Sequence, residues 1–123
     1  MARLPTASSG GRANLHQGAI GAAVDLETGQ VVAARIAGCA VERHPDTEER
    51  ILEARVPYWN DVLRAASRCS AATGLGYVGA DIVIDRELGP LVLEVNARPG
   101  LQIQNVSSRG IRSLLTRSEV DAR

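Results

Sequence analysis

The sequence predicts an α+β fold, an antiparallel sheet with helices packed on one face. Three observations predict it. Two stretches of alternating apolar residues, each broken by a short Gly- or Pro-bearing turn, read as hairpins. A single long run at helical spacing lies between them. A second apolar helical pattern follows the last strand, and the order hairpin, helix, hairpin, helix belongs to this class. At 123 residues the chain holds one domain with one core, spanning residues 1–123.

Taken in order, residues 5–11 (Pro-Thr-Ala-Ser-Ser-Gly-Gly) read as a loop, because Gly, Pro and Ser punctuate structure. The polar stretch 12–18 reads as extended chain. Residues 19–26 and 30–36 form the first hairpin, turning at Glu27, Thr28 and Gly29. Residues 41–55 are charged, contain His-Pro-Asp-Thr, and read as surface loop with a short strand near Val41. Residues 58–73 give the clearest helix: Pro57 stands near its start, Asn60 or Asp61 is placed to cap it, and Gly74 and Gly76 close it. Trp59, Val62, Leu63 and Ala66 fall at helical spacing. The second hairpin runs from 77 to 85, turns through 86–90, and returns over 91–96. Residues 97–100 form a turn. The tail from Leu101 reads as helical, with Ile111, Leu114 and Leu115 on its apolar side and a charged, frayed end at 117–123.

Composition narrows the function. The chain is 45% hydrophobic and 23% charged with zero formal net charge, so nothing draws it in bulk to nucleic acid or acidic membranes. Aromatic content is 2% and there is no basic patch, which argues against a nucleic-acid surface. No apolar run approaches the ~20 residues that span a bilayer, and the first residues lack the apolar stretch of a signal peptide. A cytoplasmic protein is expected. All 14 basic residues are arginine. Cys39 and Cys69 are far apart, make no zinc spacing with His16 or His44, and read as ordinary thiols.

The second hairpin holds the strongest chemical signal. In a strand, alternate side chains point to opposite faces. Ala80, Ile82 and Ile84 make one apolar face, and Asp81, Val83 and Asp85 the other. On the return strand, Leu91, Leu93 and Val95 face one way and Val92, Glu94 and Asn96 the other. With the turn centred between Glu87 and Leu88, Asp81 lies across from Glu94. Carbons so opposed are about 4.5–5.5 Å apart, so the carboxylates repel unless a cation sits between them. Mg²⁺ takes oxygen ligands of this kind together with phosphates, and Asn96 adds a carbonyl oxygen. The bland alternative is a solvated polar sheet face.

Arg12, Asn14 and His16 also alternate, and in an extended chain they point the same way. An arginine fork suits phosphate oxygens. Gly10 and Gly11 permit close approach to the backbone. The alternative is an exposed loop. His16 has two readings, a base or substrate-orienting group and a satisfied surface histidine. Arg98 likewise reads as a carboxylate contact or an exposed turn residue. Trp59 and Tyr58 read as packing residues.

The run Gly79-Ala80-Asp81-Ile82-Val83 … Leu93-Glu94-Val95-Asn96-Ala97-Arg98-Pro99-Gly100 resembles the final hairpin of the ATP-grasp ligases. The run Gly11-Arg12-Ala13-Asn14-Leu15-His16-Gln17-Gly18 resembles the Arg-x-Asn-Leu-His-x-Gly segment of the RimK-like, alpha-L-glutamate ligase-like branch. The resemblance implies a C-terminal ATP-grasp lobe using ATP and Mg²⁺ or Mn²⁺. It implies Asp81, Glu94 and Asn96 as metal ligands. Arg12, Ala13 and Asn14 would meet the ATP phosphates, with Arg12 in the catalytic role. Gly100 is a candidate to offer a backbone N–H to the developing oxyanion. The implied reaction joins a small carboxylate to an amine, such as an amino acid or peptide, through an acylphosphate. The family also grips adenine with a second lobe, usually bearing lysines. The expectation is therefore a C-terminal piece that needs an N-terminal lobe in cis or trans and alone binds Mg-ATP weakly. A non-catalytic remnant serving as a binding or interaction domain is the alternative.

Overall fold

The computed structural model describes residues 1–100 and Val106. The tail expected to be helical, with Ile111, Leu114, Leu115 and the frayed end at 117–123, lies outside the described residues apart from Val106, which is helical and buried. The α+β class holds. The strands form two antiparallel sheets, and one helix lies between them in sequence.

The first sheet has four strands in sequence order. They are β1 (Ala2–Leu4), β2 (Ile20–Val24), β3 (Val31–Ile36) and β4 (Cys39–Ala40). Alternation sorts its two faces. Leu4 pairs with Ile20, Ala2 with Ala22, and Ala22 with Ala34. These residues, with Val24, Val31 and Ile36, meet Ile51 and Val41 from the following loop and build the core. The small side chains of Ala22 and Ala34 let that loop close over the sheet. The opposite face carries Arg3, Gly21 and Arg35 in one cross-strand row, since Gly21 pairs with both arginines. β1 is the strand that the sequence reading passed over; its apolar–arginine–apolar alternation was the available signal.

Helix α1 (Trp59–Thr73) starts without the expected side-chain cap. Tyr58 occupies the cap position in a left-handed conformation (φ 54°), and Asn60 and Asp61 lie inside the first turn. The start is fixed by tertiary contact instead. Trp59 donates its indole N–H to the Leu26 carbonyl at 2.8 Å, and a Cβ on Gly29 would stand 2.6 Å from its ring. Trp59 is thus a packing residue. At the other end Gly74 (φ 65°) returns its N–H to the Ser70 carbonyl, as expected of a left-handed helix stop.

The second sheet is the hairpin of β5 (Gly79–Asp85) and β6 (Gly89–Asn96), against which α1 packs. No described helix is long and apolar enough to cross a membrane. Cys39 is exposed and Cys69 buried, both as free thiols.

Candidate metal and phosphate site

Asp81 and Glu94 are direct register partners, and Asn96 pairs with Gly79 two residues along. The pairing arises differently from the expected way. Asp85 pairs with Gly89, so the loop has three residues, Arg86 to Leu88, not two. Asp85 holds it by accepting from the backbone N–H of Leu88 at 2.9 Å and of Glu87 at 2.8 Å. Those bonds, Leu88 first, pull its carboxyl pKa below the ordinary value. Gly89 follows at φ 74°, a geometry that favours glycine.

A three-residue loop alone would set Asp81 opposite Leu93. The register shifts between Asp81 and Ile82, where Ile82 pairs with Val92 and Asp81 with Glu94. Leu93 is the extra residue of a β-bulge. Bulges re-aim side chains and are frequent beside functional sites. The bulge also corrects the expected facing of the return strand: Val92 sides with Ile82 rather than with Glu94, and Leu91 with Val83 rather than with Val95. Leu93 is left 70% exposed.

Asn96 is oriented by the turn after it. Its side-chain oxygen accepts from the Arg98 N–H at 3.1 Å. The turn folds Pro99 back over Gly79, where any Cβ would stand 2.6 Å from the proline ring. Gly79 therefore permits the turn that fixes Asn96. Arg98 and Gly100 are both exposed in that turn.

The oxygen set suits a hard cation. Two carboxylates and an amide carbonyl are carried at neighbouring register positions of adjacent strands, and the carbonyl keeps a lone pair beyond the one Arg98 uses. Asp81 already draws a positive charge: the Arg3 guanidinium, reaching across from β1, stands 2.9 Å from it. Among the described residues no three His, Cys, Asp or Glu side chains gather at one point, so any metal here relies on Asn96 and on ligand oxygens.

Residues 7–11 form a turn and Leu15–Gln17 a 3-10 turn, with Asn14 extended between them, so the stretch 12–18 is not one extended chain. Thr6 and Ser9 are buried and bond each other four ways: Thr6 N–H to Ser9 Oγ at 2.9 Å, Ser9 Oγ to the Thr6 carbonyl at 2.9 Å, and Ser9 N–H to Thr6 Oγ1 at 3.1 Å and to the Thr6 carbonyl at 3.2 Å. Thr6 Oγ1 also donates to the Gly18 carbonyl at 2.8 Å. Asn14 caps a 3-10 turn at Leu15–Gln17, accepting from the His16 N–H at 3.0 Å, and Gly18 (φ 95°) ends it. This breaks the expected alternation of Arg12, Asn14 and His16. The cause is legible afterwards, since Asn favours caps. Arg12, Ala13 and Asn14 are exposed.

Leu15 links the two motifs. Its side chain stands 3.2 Å from where a Gly21 Cβ would be, on the sheet face that carries Arg3. Leu15, next to the Arg12–Asn14 segment, and the carboxylate hairpin therefore lie on the same side of the first sheet. A pocket of about 210 Å³ opens there, lined by Leu15, His16, Gly21, Arg35 and Val106 among others. Arg3, the residue that joins sheet to hairpin, is the site residue that the sequence reading did not select.

A family described as sugar-transfer associated ATP-grasp matches residues 1–120. Searches of curated proteins and of solved structures each return no match.

Proposed function

The chain belongs to the sugar-transfer associated ATP-grasp family, and from that premise we propose that it carries the magnesium- and phosphate-binding part of an ATP-dependent carboxylate–amine ligase. ATP-grasp proteins use ATP with a divalent metal, and the fold here is ligase-like in that general sense. The observation that supports the finer reading is the direct register of Asp81 with Glu94. Asp81, Glu94 and Asn96 would hold Mg²⁺ or Mn²⁺, which when bound neutralises the phosphate oxygens for phosphoryl transfer. Arg12 and Asn14, with the Ala13 backbone, would position the phosphates from the neighbouring turn. In the reaction a substrate carboxylate oxygen attacks the γ-phosphorus and ADP leaves. An amine nitrogen then attacks the acyl carbon, phosphate leaves, and the nitrogen gives up a proton. The protein's share is placement and charge neutralisation.

A lobe holding adenine, in cis or in trans, would complete the site. The resemblance of the Arg-Ala-Asn-Leu-His-Gln-Gly segment to the glutamate ligase-like branch is what supports amino-acid or peptide substrates. The family's description favours a second reading, in which the acid or the amine belongs to a sugar-bearing molecule.

The test is a titration with Mn²⁺ and with Mn-ATP. Binding is expected to weaken at least about tenfold in Asp81→Ala and Glu94→Ala. Binding that is equal in all three proteins would sink the site assignment. Metal-dependent binding without ADP release over a panel of acids and amines would favour the non-catalytic alternative.

A further inference from the structure

Arg3 is the guanidinium in direct contact with the carboxylate hairpin, at 2.9 Å from Asp81. Its neighbours in the same region are differently placed. Arg35, two strands along the same row, spends its guanidinium on the Gly38 carbonyl at 2.9 Å. Arg12 follows the turn that ends at Gly11, its N–H on the Ser9 carbonyl at 3.3 Å, and forms no ion pair among the described residues. The backbone of Arg3 is fixed by pairing with Gly21, while its side chain is 39% exposed and Asp81's is 53% exposed. An anchored base with a long, solvent-facing head lets the charge move without disturbing the sheet.

We propose that Arg3 is a resident cation for the Asp81–Glu94 pair that gives way to the metal and moves to its phosphates. This rests on the reading of Asp81, Glu94 and Asn96 as metal ligands. Without metal, the guanidinium relieves repulsion between the two opposed carboxylates. A divalent cation on the Asp81 carboxylate would stand close to the guanidinium, and the two positive groups repel each other there. Arg3 is displaced, and the phosphate oxygens that accompany the cation offer it a better partner. A guanidinium stays charged and matches phosphate with two parallel N–H bonds. Arg3 therefore opposes bare metal and favours metal with nucleotide. It is a positioning residue that couples the two ligands.

The test uses Mn²⁺ as the probe, with free Mn²⁺ read by electron paramagnetic resonance and no dependence on turnover. The proteins compared are wild type, Arg3→Gln, Arg3→Lys and Asp81→Asn. Arg3→Gln is expected to bind Mn²⁺ alone roughly 2- to 5-fold more tightly, the scale of an exposed ion pair, and Mn-ATP more weakly by a similar factor. Arg3→Lys keeps the charge and loses the fork, so it should bind Mn²⁺ alone like wild type and Mn-ATP more weakly. It also serves if the Gln variant disturbs β1. Asp81→Asn is expected to lose Mn²⁺ in both conditions. Mn²⁺ binding that needs Asp81 but is unchanged or weakened in Arg3→Gln overturns the role of Arg3 and leaves the metal site standing. Mn²⁺ behaviour independent of Asp81 overturns both.

Discussion

In the first sheet Ile20 and Ala22 have no exposed surface, whereas in the second sheet Leu93 is 70% exposed and only Gly89 is buried. Each sheet contains a hairpin whose turn begins at an aspartate, Asp25 in the first and Asp85 in the second. They differ in what alternation is used for. In β1–β4 it sends apolar side chains to one face, where Ile51 and Val41 seal them. In β5–β6 it holds Asp81 and Glu94 together on an open face. Stability is concentrated in the first region and the candidate chemistry in the second. Arg3 is the ion pair that joins them.

That division breaks first at the core. Ile20→Ala removes a fully buried side chain and is expected to cost about 2–5 kcal/mol, measured by urea unfolding. A loss under about 0.5 kcal/mol would mean that the first sheet is not the stabilising region. Next is the junction with the helix. Gly29→Ala puts a Cβ 2.6 Å from Trp59 at a position with φ 71°, which is expected to cost about 1–3 kcal/mol. Trp59 is the single tryptophan of the chain, so its emission should shift to longer wavelength as the indole leaves Leu26. An unchanged spectrum would place the helix start elsewhere.

These contacts also divide what the sequence could and could not reveal. Alternation and turn residues located both hairpins and α1, and they placed Asp81 opposite Glu94. The loop from Arg86 to Leu88 and the bulge at Leu93 are one residue each away from the simple hairpin, and they cancel at Asp81. Alternation has no way to register two compensating shifts, so the face of Val92 was misassigned while the carboxylate pair was not. The start of α1 was hidden for another reason. Its Trp59–Gly29 contact spans thirty positions of sequence, while the nearby Asn60 and Asp61 offered a local cap that the chain does not use. At Arg12 the opposite happened: a local cap, Asn14, overrode an apparent alternation.

A milder change sharpens the division from the other side. Asp81→Asn removes the ion pair to Arg3, both partners being well exposed, and should alter stability by no more than about 1 kcal/mol. The same protein should lose Mn²⁺ binding. A large drop in urea midpoint would show that the hairpin stabilises the fold as well as presenting the site.

The smallest effect lies in the two turns, where the regions are most alike. Asp25 accepts from Thr28, through its hydroxyl and its backbone N–H, both at 2.8 Å. Asp85 accepts from the backbone of Leu88 and Glu87. Each carboxyl pKa is lowered below the ordinary 3.8, at Asp25 chiefly by the Thr28 hydroxyl and at Asp85 by the Leu88 N–H. A lowered folded-state pKa means stability that is present above 3.8 and lost as pH falls through the lowered value. Both turns therefore weaken only in acid. In Asp25→Asn and Asp85→Asn that acid dependence should diminish, read as a flatter plot of urea midpoint against pH below 3.8. The comparison predicts a difference between them. The Asp25 turn seats Trp59 through Leu26 and Gly29, so its loosening should also appear in tryptophan emission. The Asp85 turn lies at the open end of its hairpin, and its loosening should leave that emission unchanged. Equal emission changes in the two variants would mean that the sheets do not loosen separately.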